Sequence, residues 1–173
     1  TGHAAAAYLT GRGFDVVLCD HEGFKKEFDD IEEAGGILLR GLAGRGVRKI
    51  SKVTHDFGEA VGRARLILVC VPAARHQEIA ERIAPYMREG QSVLILPGNL
   101  GSFIFQDVFR KIKVPEDVII AEMEGNLCPC RLTAPAEVTV GLPIRAKKVA
   151  ALPGSRTAEF IEQNEGVLDF TAN

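Results

Sequence analysis

The chain lacks any apolar run approaching the ~20 residues that span a bilayer, so no membrane-crossing helix is expected of it. It also lacks a charge of one dominant sign. A net charge of −2 gives no electrostatic case for nucleic acid or an anionic membrane as partner, and the local run of Arg40, Arg45, Arg48, Lys49 and Lys52 reads as a solvated loop and strand edge. Cysteine is scarce and poorly placed for metal. Cys128-Pro-Cys130 is a C-x-C pair with no second pair or clustered histidine, and no zinc site is expected. Cys19 and Cys70 fall inside apolar segments, where a buried thiol behaves as a small hydrophobe, and a reducing cytoplasm is the expected compartment. Missing too are G-x-S-x-G, H-E-x-x-H and P-loop strings, a signal-peptide-like leader, internal repeats and low-complexity segments. His3, His21, His55 and His76 do not cluster and read as surface or helix-start residues, so no general acid or base is visible.

What remains is the composition of an α/β domain: 173 residues, 46% hydrophobic, 25% charged, with 18 glycines. Ala4 to Ala7 give residues 2–12 a helix face of small side chains, suited to lying close on a sheet. Residues 14–19 and 66–71 read as apolar parallel strands, 92–96 and 118–121 as two more, with helices over 22–34, 56–63, 76–87 and 101–111. Residues 35–41 and 47–53 suggest a glycine-bounded antiparallel excursion. Residues 137–142 and 147–152, joined around Pro143, suggest an antiparallel hairpin added at the sheet edge, before a helix over 156–164 and a last strand over 167–170. Alternating strands and helices imply a doubly wound, Rossmann-type, mostly parallel sheet with right-handed crossovers.

The start of the chain sharpens this. Gly2 fits the third glycine of G-x-G-x-x-G, and Asp20 closes the following strand, as does the acidic residue about 20 positions on that takes a ribose hydroxyl. A strand and two glycines would have to precede Thr1. The sequence is therefore expected to be a fragment cut inside its own phosphate-binding loop, with residues 1–173 one dinucleotide-binding domain.

In such a sheet, ligands sit outside the carboxyl ends of the strands. Those ends are Thr1, Gly2 and His3 at the first helix, Asp20, then Val71, Pro72 and Ala73, then Pro97, Gly98 and Asn99, and finally Glu122. Helix amides at Gly2 would hold a pyrophosphate, although a glycine can also simply begin a helix. Asp20 would take the ribose diol and repel a 2′-phosphate, favouring NAD while leaving NADP open. Pro72 and Pro97 would leave small groups against a nicotinamide, or serve only as strand terminators.

Several strings carry a family likeness. Thr1-Gly-His-Ala-Ala-Ala-Ala-Tyr-Leu9 through Cys19-Asp20, Val69-Cys-Val-Pro-Ala-Ala-Arg-His76, Gly90-Gln-Ser-Val-Leu-Ile-Leu-Pro-Gly98, Glu122 with Cys130-Arg131, and Val149-Ala-Ala-Leu-Pro153 follow one another in order. The chain resembles the nucleotide-binding domain of the opine dehydrogenases, the octopine and nopaline dehydrogenase family. Its first helix and V-P-A turn are shared with ketopantoate reductases. The resemblance implies an enzyme that condenses an amino acid with a 2-oxo acid and reduces the imine with NAD(P)H. It also implies a catalytic His and Asp on a second, mostly helical domain outside this sequence. Glu122, Cys130 and Arg131 match positions facing the substrate cleft, with a packed turn as the alternative for Cys130 and Arg131. Reduction of a 2-oxo acid alone, as by a ketopantoate reductase or 2-hydroxyacid dehydrogenase, and a non-catalytic NAD(H)-sensing module are the other readings. Oligomeric state is not legible.

Overall fold

A computed structural model describes residues 1–173. Six helices run α1 (Gly2–Gly11), α2 (Lys25–Glu33), α3 (Phe57–Arg63), α4 (His76–Ile83), α5 (Gly101–Ile112) and α6 (Thr157–Gln163). The strands are β1 (Val17–Cys19), β2 (Ile37–Gly41), β3 (Gly46–Arg48), β4 (Lys52–Thr54), β5 (Leu66–Val69), β6 (Ser92–Ile95), β7 (Ile119–Met123), β8 (Cys130–Ala134), β9 (Glu137–Val140), β10 (Lys147–Leu152) and β11 (Phe170–Ala172). These form two compact units, Thr1–Ala60 with Leu127–Ile144, and Val61–Asn126 with Arg145–Asn173. No helix is long and apolar enough to cross a membrane.

In the first unit, α1 buries Ala4 to Ala7 and Leu9 and packs on β1, β2, β3 and β9. Its alanines allow that close approach. Parallel strands β1 and β4 form a two-stranded sheet. Because β1 has a neighbour on one side only, its residues are half-buried instead of acquiring the full burial of a central strand. Helix α2 directs Phe28 and Ile31 inward, whereas Phe24 ends a short 3-10 turn before it and stays exposed. The expected antiparallel excursion is present as β2 and β3, within a four-stranded sheet of order β3-β2-β9-β8.

The second unit holds a five-stranded sheet of order β11-β10-β7-β6-β5, in which β5, β6 and β7 are parallel. Every residue of β6 is buried, and β5 is the half-buried edge. Helices α4 and α5 pack together, with α5 also against β7. The helical pattern of residues 76–87 breaks after Ile83 into a 3-10 turn containing Pro85, because proline has no N–H for the α ladder.

The antiparallel hairpin near the C-terminus is built from different strands than the sequence pattern suggests. Strand β9 pairs antiparallel with β8, whereas β10 pairs antiparallel with β7 and parallel with β11. Residues 137–142 and 147–152 therefore lie in different sheets. The turn forms at Pro135-Ala136, where proline presets φ and Ala136 adopts a left-handed φ of 51°. Pro143 can supply no turn hydrogen bond from nitrogen.

Candidate functional site

The first unit brings together part of the predicted set. Thr1 precedes α1 without a side-chain cap, and the first turn, which includes Gly2 and His3, contains no acidic residue. The leading amides therefore meet no anionic competitor from their own turn, which suits them to phosphate oxygens. Burial, and after it the charge on the Thr1 amino group, push the His3 imidazole below its usual value, and the nearby Glu27 and Asp20 carboxylates pull the other way. Asp20 follows β1 and is half-buried. Its Oδ1 accepts from the His21 N–H at 2.8 Å, and its carbonyl oxygen lies 2.8 Å from His55 Nδ1. The His55 ring stacks on Phe28, with centroids 4.7 Å apart and planes at 12°.

Cys130 and Arg131 also belong to this unit, as the first residues of β8 paired with Val140 and Thr139. They are ladder residues, not a packed turn. Cys130 is half-buried and Arg131 exposed. The strand run could have signalled this through Thr133 and Thr139, whose hydroxyls meet across the pair at 3.2 Å.

In the second unit, Val71, Pro72 and Ala73 follow β5, with Pro72 and Ala73 exposed. The Arg75 N–H closes the turn on the Pro72 carbonyl at 2.8 Å and leads into α4. Pro97, Gly98 and Asn99 follow β6. Asn99 and Leu100 both take left-handed backbone, φ 49° and 63°, a conformation that costs non-glycine residues energy and here needs an anchor. Glu122 is that anchor. The register sets it opposite Ile95, and its two oxygens accept from the Leu100 N–H at 3.1 Å and the Ser102 N–H at 2.6 Å. A side chain at Gly98 would overlap the Glu122 carboxylate. Pro97, Gly98, Asn99 and Glu122 thus form one unit, in which the acid caps α5 from below.

His76 is the residue that sequence reasoning missed. It does begin a helix, but its surface placement is wrong: it is 0% exposed. Gly101 leaves the space it occupies, since a Cβ there would overlap the ring, and Phe105 meets it edge-on at 6.2 Å. Neither ring nitrogen makes a hydrogen bond of good geometry. Burial lowers its pKa, opposed by the Glu122 charge and the Val71 main chain. Its only signal in the sequence is its place at the end of the Val69 to His76 string. No group of three or more His, Cys, Asp or Glu residues gathers in a metal-binding arrangement.

No family model matches the chain. It is 36% identical over 168 residues to an opine dehydrogenase from Arthrobacter sp. (strain 1C), a match covering 96% of this chain and 46% of that relative. Its fold is similar to an octopine dehydrogenase solved with NADH and L-arginine, with a TM-score of 0.79 at 16% identity over 99% of this chain and 45% of the other. A ketopantoate reductase from Ralstonia eutropha JMP134 is also similar, with a TM-score of 0.67 at 20% identity over 98% of this chain and 52% of the other. The chain spans about half the length of these proteins. The structural likenesses establish the doubly wound fold, and the sequence match over nearly the whole chain establishes kinship. In sequence the chain is similar to the opine dehydrogenases along nearly its whole length.

Proposed function

We propose that this chain is the dinucleotide-binding part of an oxidoreductase that joins an amino acid to a 2-oxo acid and reduces the resulting imine with NAD(P)H. The observation that carries the proposal is the 36% identity to an opine dehydrogenase along 96% of the chain. The residues fit such a cofactor. The uncapped first turn of α1, with Thr1, Gly2 and His3, suits a pyrophosphate, and the Asp20 carboxylate suits a ribose diol. In the second unit, Val71 to Ala73 and Pro97 to Asn99 present small, partly exposed groups suited to the nicotinamide.

When bound, the reduced nicotinamide supplies a hydride. The chain's own part is to bind and orient: α1 amides hold negative charge, Asp20 selects the unphosphorylated ribose, and Glu122 fixes the shape of the 97–102 turn. Cys130 and Arg131 are proposed substrate contacts. No residue of the chain is assigned proton transfer, which falls to a separate substrate domain in this reading. A reducing cytoplasm is the proposed compartment, on the placement of Cys19 and Cys70 within apolar segments.

The test is an assay of the full-length protein with pyruvate, a panel of amino acids and NADH. NADH oxidation that requires both substrates supports the proposal, and none with any pair rejects it. The likeness to a ketopantoate reductase favours, as the second reading, reduction of a 2-oxo acid alone. Turnover that persists when the amino acid is omitted would select it.

A further inference from the structure

Strands β1 and β4 run parallel with Cys19 opposite Thr54. Asp20 and His55 are thus the next residues past the carboxyl ends of two adjacent strands, the edge where ligands of such sheets bind. The flanking side chains are committed elsewhere: the Thr54 hydroxyl accepts from the Asp56 N–H at 3.1 Å, and the Asp56 carboxylate accepts from the Glu59 N–H at 3.0 Å. His55 takes no part in that local capping. Its Nδ1 meets the Asp20 carbonyl at 2.8 Å. A carbonyl can only accept, so Nδ1 carries the proton of the neutral ring and Nε2 keeps its lone pair. That second nitrogen makes no hydrogen bond within the chain.

The ring is also fixed in plane. Phe28, itself only 5% exposed, stacks nearly parallel beneath it. A half-buried imidazole is therefore held by two contacts that leave one acceptor unused, beside the carboxylate proposed for the ribose. Packing alone would not require the polar edge.

We infer that His55 reads the purine base of the dinucleotide, its Nε2 accepting a hydrogen bond from the exocyclic amino group of adenine. This rests on the dinucleotide-binding reading above. It assigns the two ends of the adenosine to neighbouring residues of one strand pair, Asp20 to the sugar and His55 to the base.

The test is calorimetric titration of the full-length protein with NADH and with its hypoxanthine analogue, in which a carbonyl replaces the 6-amino group. Two acceptors would then face one another, so the wild type is expected to bind the analogue ~10-fold or more weakly, about 1.4 kcal/mol. His55→Phe keeps a ring on Phe28 but has no nitrogen, and is expected to bind both dinucleotides alike. Equal wild-type affinities, or a preference unchanged in a folded His55→Phe protein, would overturn the assignment while leaving dinucleotide binding intact. Failure of the folded wild type to bind NADH at all would overturn both readings.

Discussion

Glu122 Oε1, on β7, accepts a hydrogen bond at 2.6 Å from the N–H of Ser102 in the first turn of α5. With the companion bond from Leu100 at 3.1 Å, one carboxylate holds a turn that contains two left-handed non-glycine residues. Hydrogen bonds to a charged group contribute about 1.5–3 kcal/mol each. Glu122→Ala is expected to lower unfolding free energy by about 2–4 kcal/mol, and Glu122→Gln, which keeps one acceptor oxygen, by roughly half as much. Urea unfolding monitored by circular dichroism measures both. Equal stability of wild type and Glu122→Ala would show that the turn stands without its anchor.

The space beside Gly101 belongs to His76. A methyl at position 101 would enter the buried imidazole, and overpacking of this kind costs about 1–3 kcal/mol. Gly101→Ala should therefore lower the melting temperature. Combined with His76→Ala, which vacates the site, the added methyl should cost much less than it does alone, a coupling that a double-mutant cycle resolves. Strict additivity of the two changes would separate the residues.

The same histidine gives stability a pH dependence. Its folded pKa is lowered, first of all by burial, so the unfolded chain takes the proton more readily. Stability is full above the unfolded value of ~6.5 and declines as the pH falls below it toward the folded pKa, with a slope of at most about 1.4 kcal/mol per pH unit per proton. His3 is shifted in the same direction and adds to the slope. Unfolding free energies between pH 7 and pH 5 should fall less steeply in His76→Leu than in the wild type. Parallel curves would mean that His76 is protonated in the folded state as easily as in the unfolded one.

The sequence made some of this legible because the cause is local. Ala4 to Ala7 specify a helix that lies close on strands, and β6 carries its burial in its own apolar run. Pro135 and Pro143 are harder to tell apart. Both punctuate strands, and only the pairing of β8 with β9 shows that Pro135 makes the turn and Pro143 does not. Site geometry was least legible, because it depends on distant residues. His76 is buried because α5 presents a glycine to it, and His55 meets Asp20 because β1 and β4 pair in one register. Periodicity within either segment contains neither fact.

The choice of cofactor is tested at Asp20. Its carboxylate carries charge at the edge proposed for the ribose, where a 2′-phosphate would be repelled and a diol hydrogen-bonded. Asp20→Ser removes the charge but keeps the main-chain carbonyl that receives His55, so the strand pair and the imidazole should hold their places. NADH affinity relative to NADPH is then expected to fall by about 1.5–3 kcal/mol, the range for a lost hydrogen bond to a charged group. Competitive titration of NADH fluorescence with NADPH, on wild type and variant, reads that ratio directly. A ratio unchanged in a folded variant would remove Asp20 from cofactor selection and leave it as a strand-end residue holding His21 and His55.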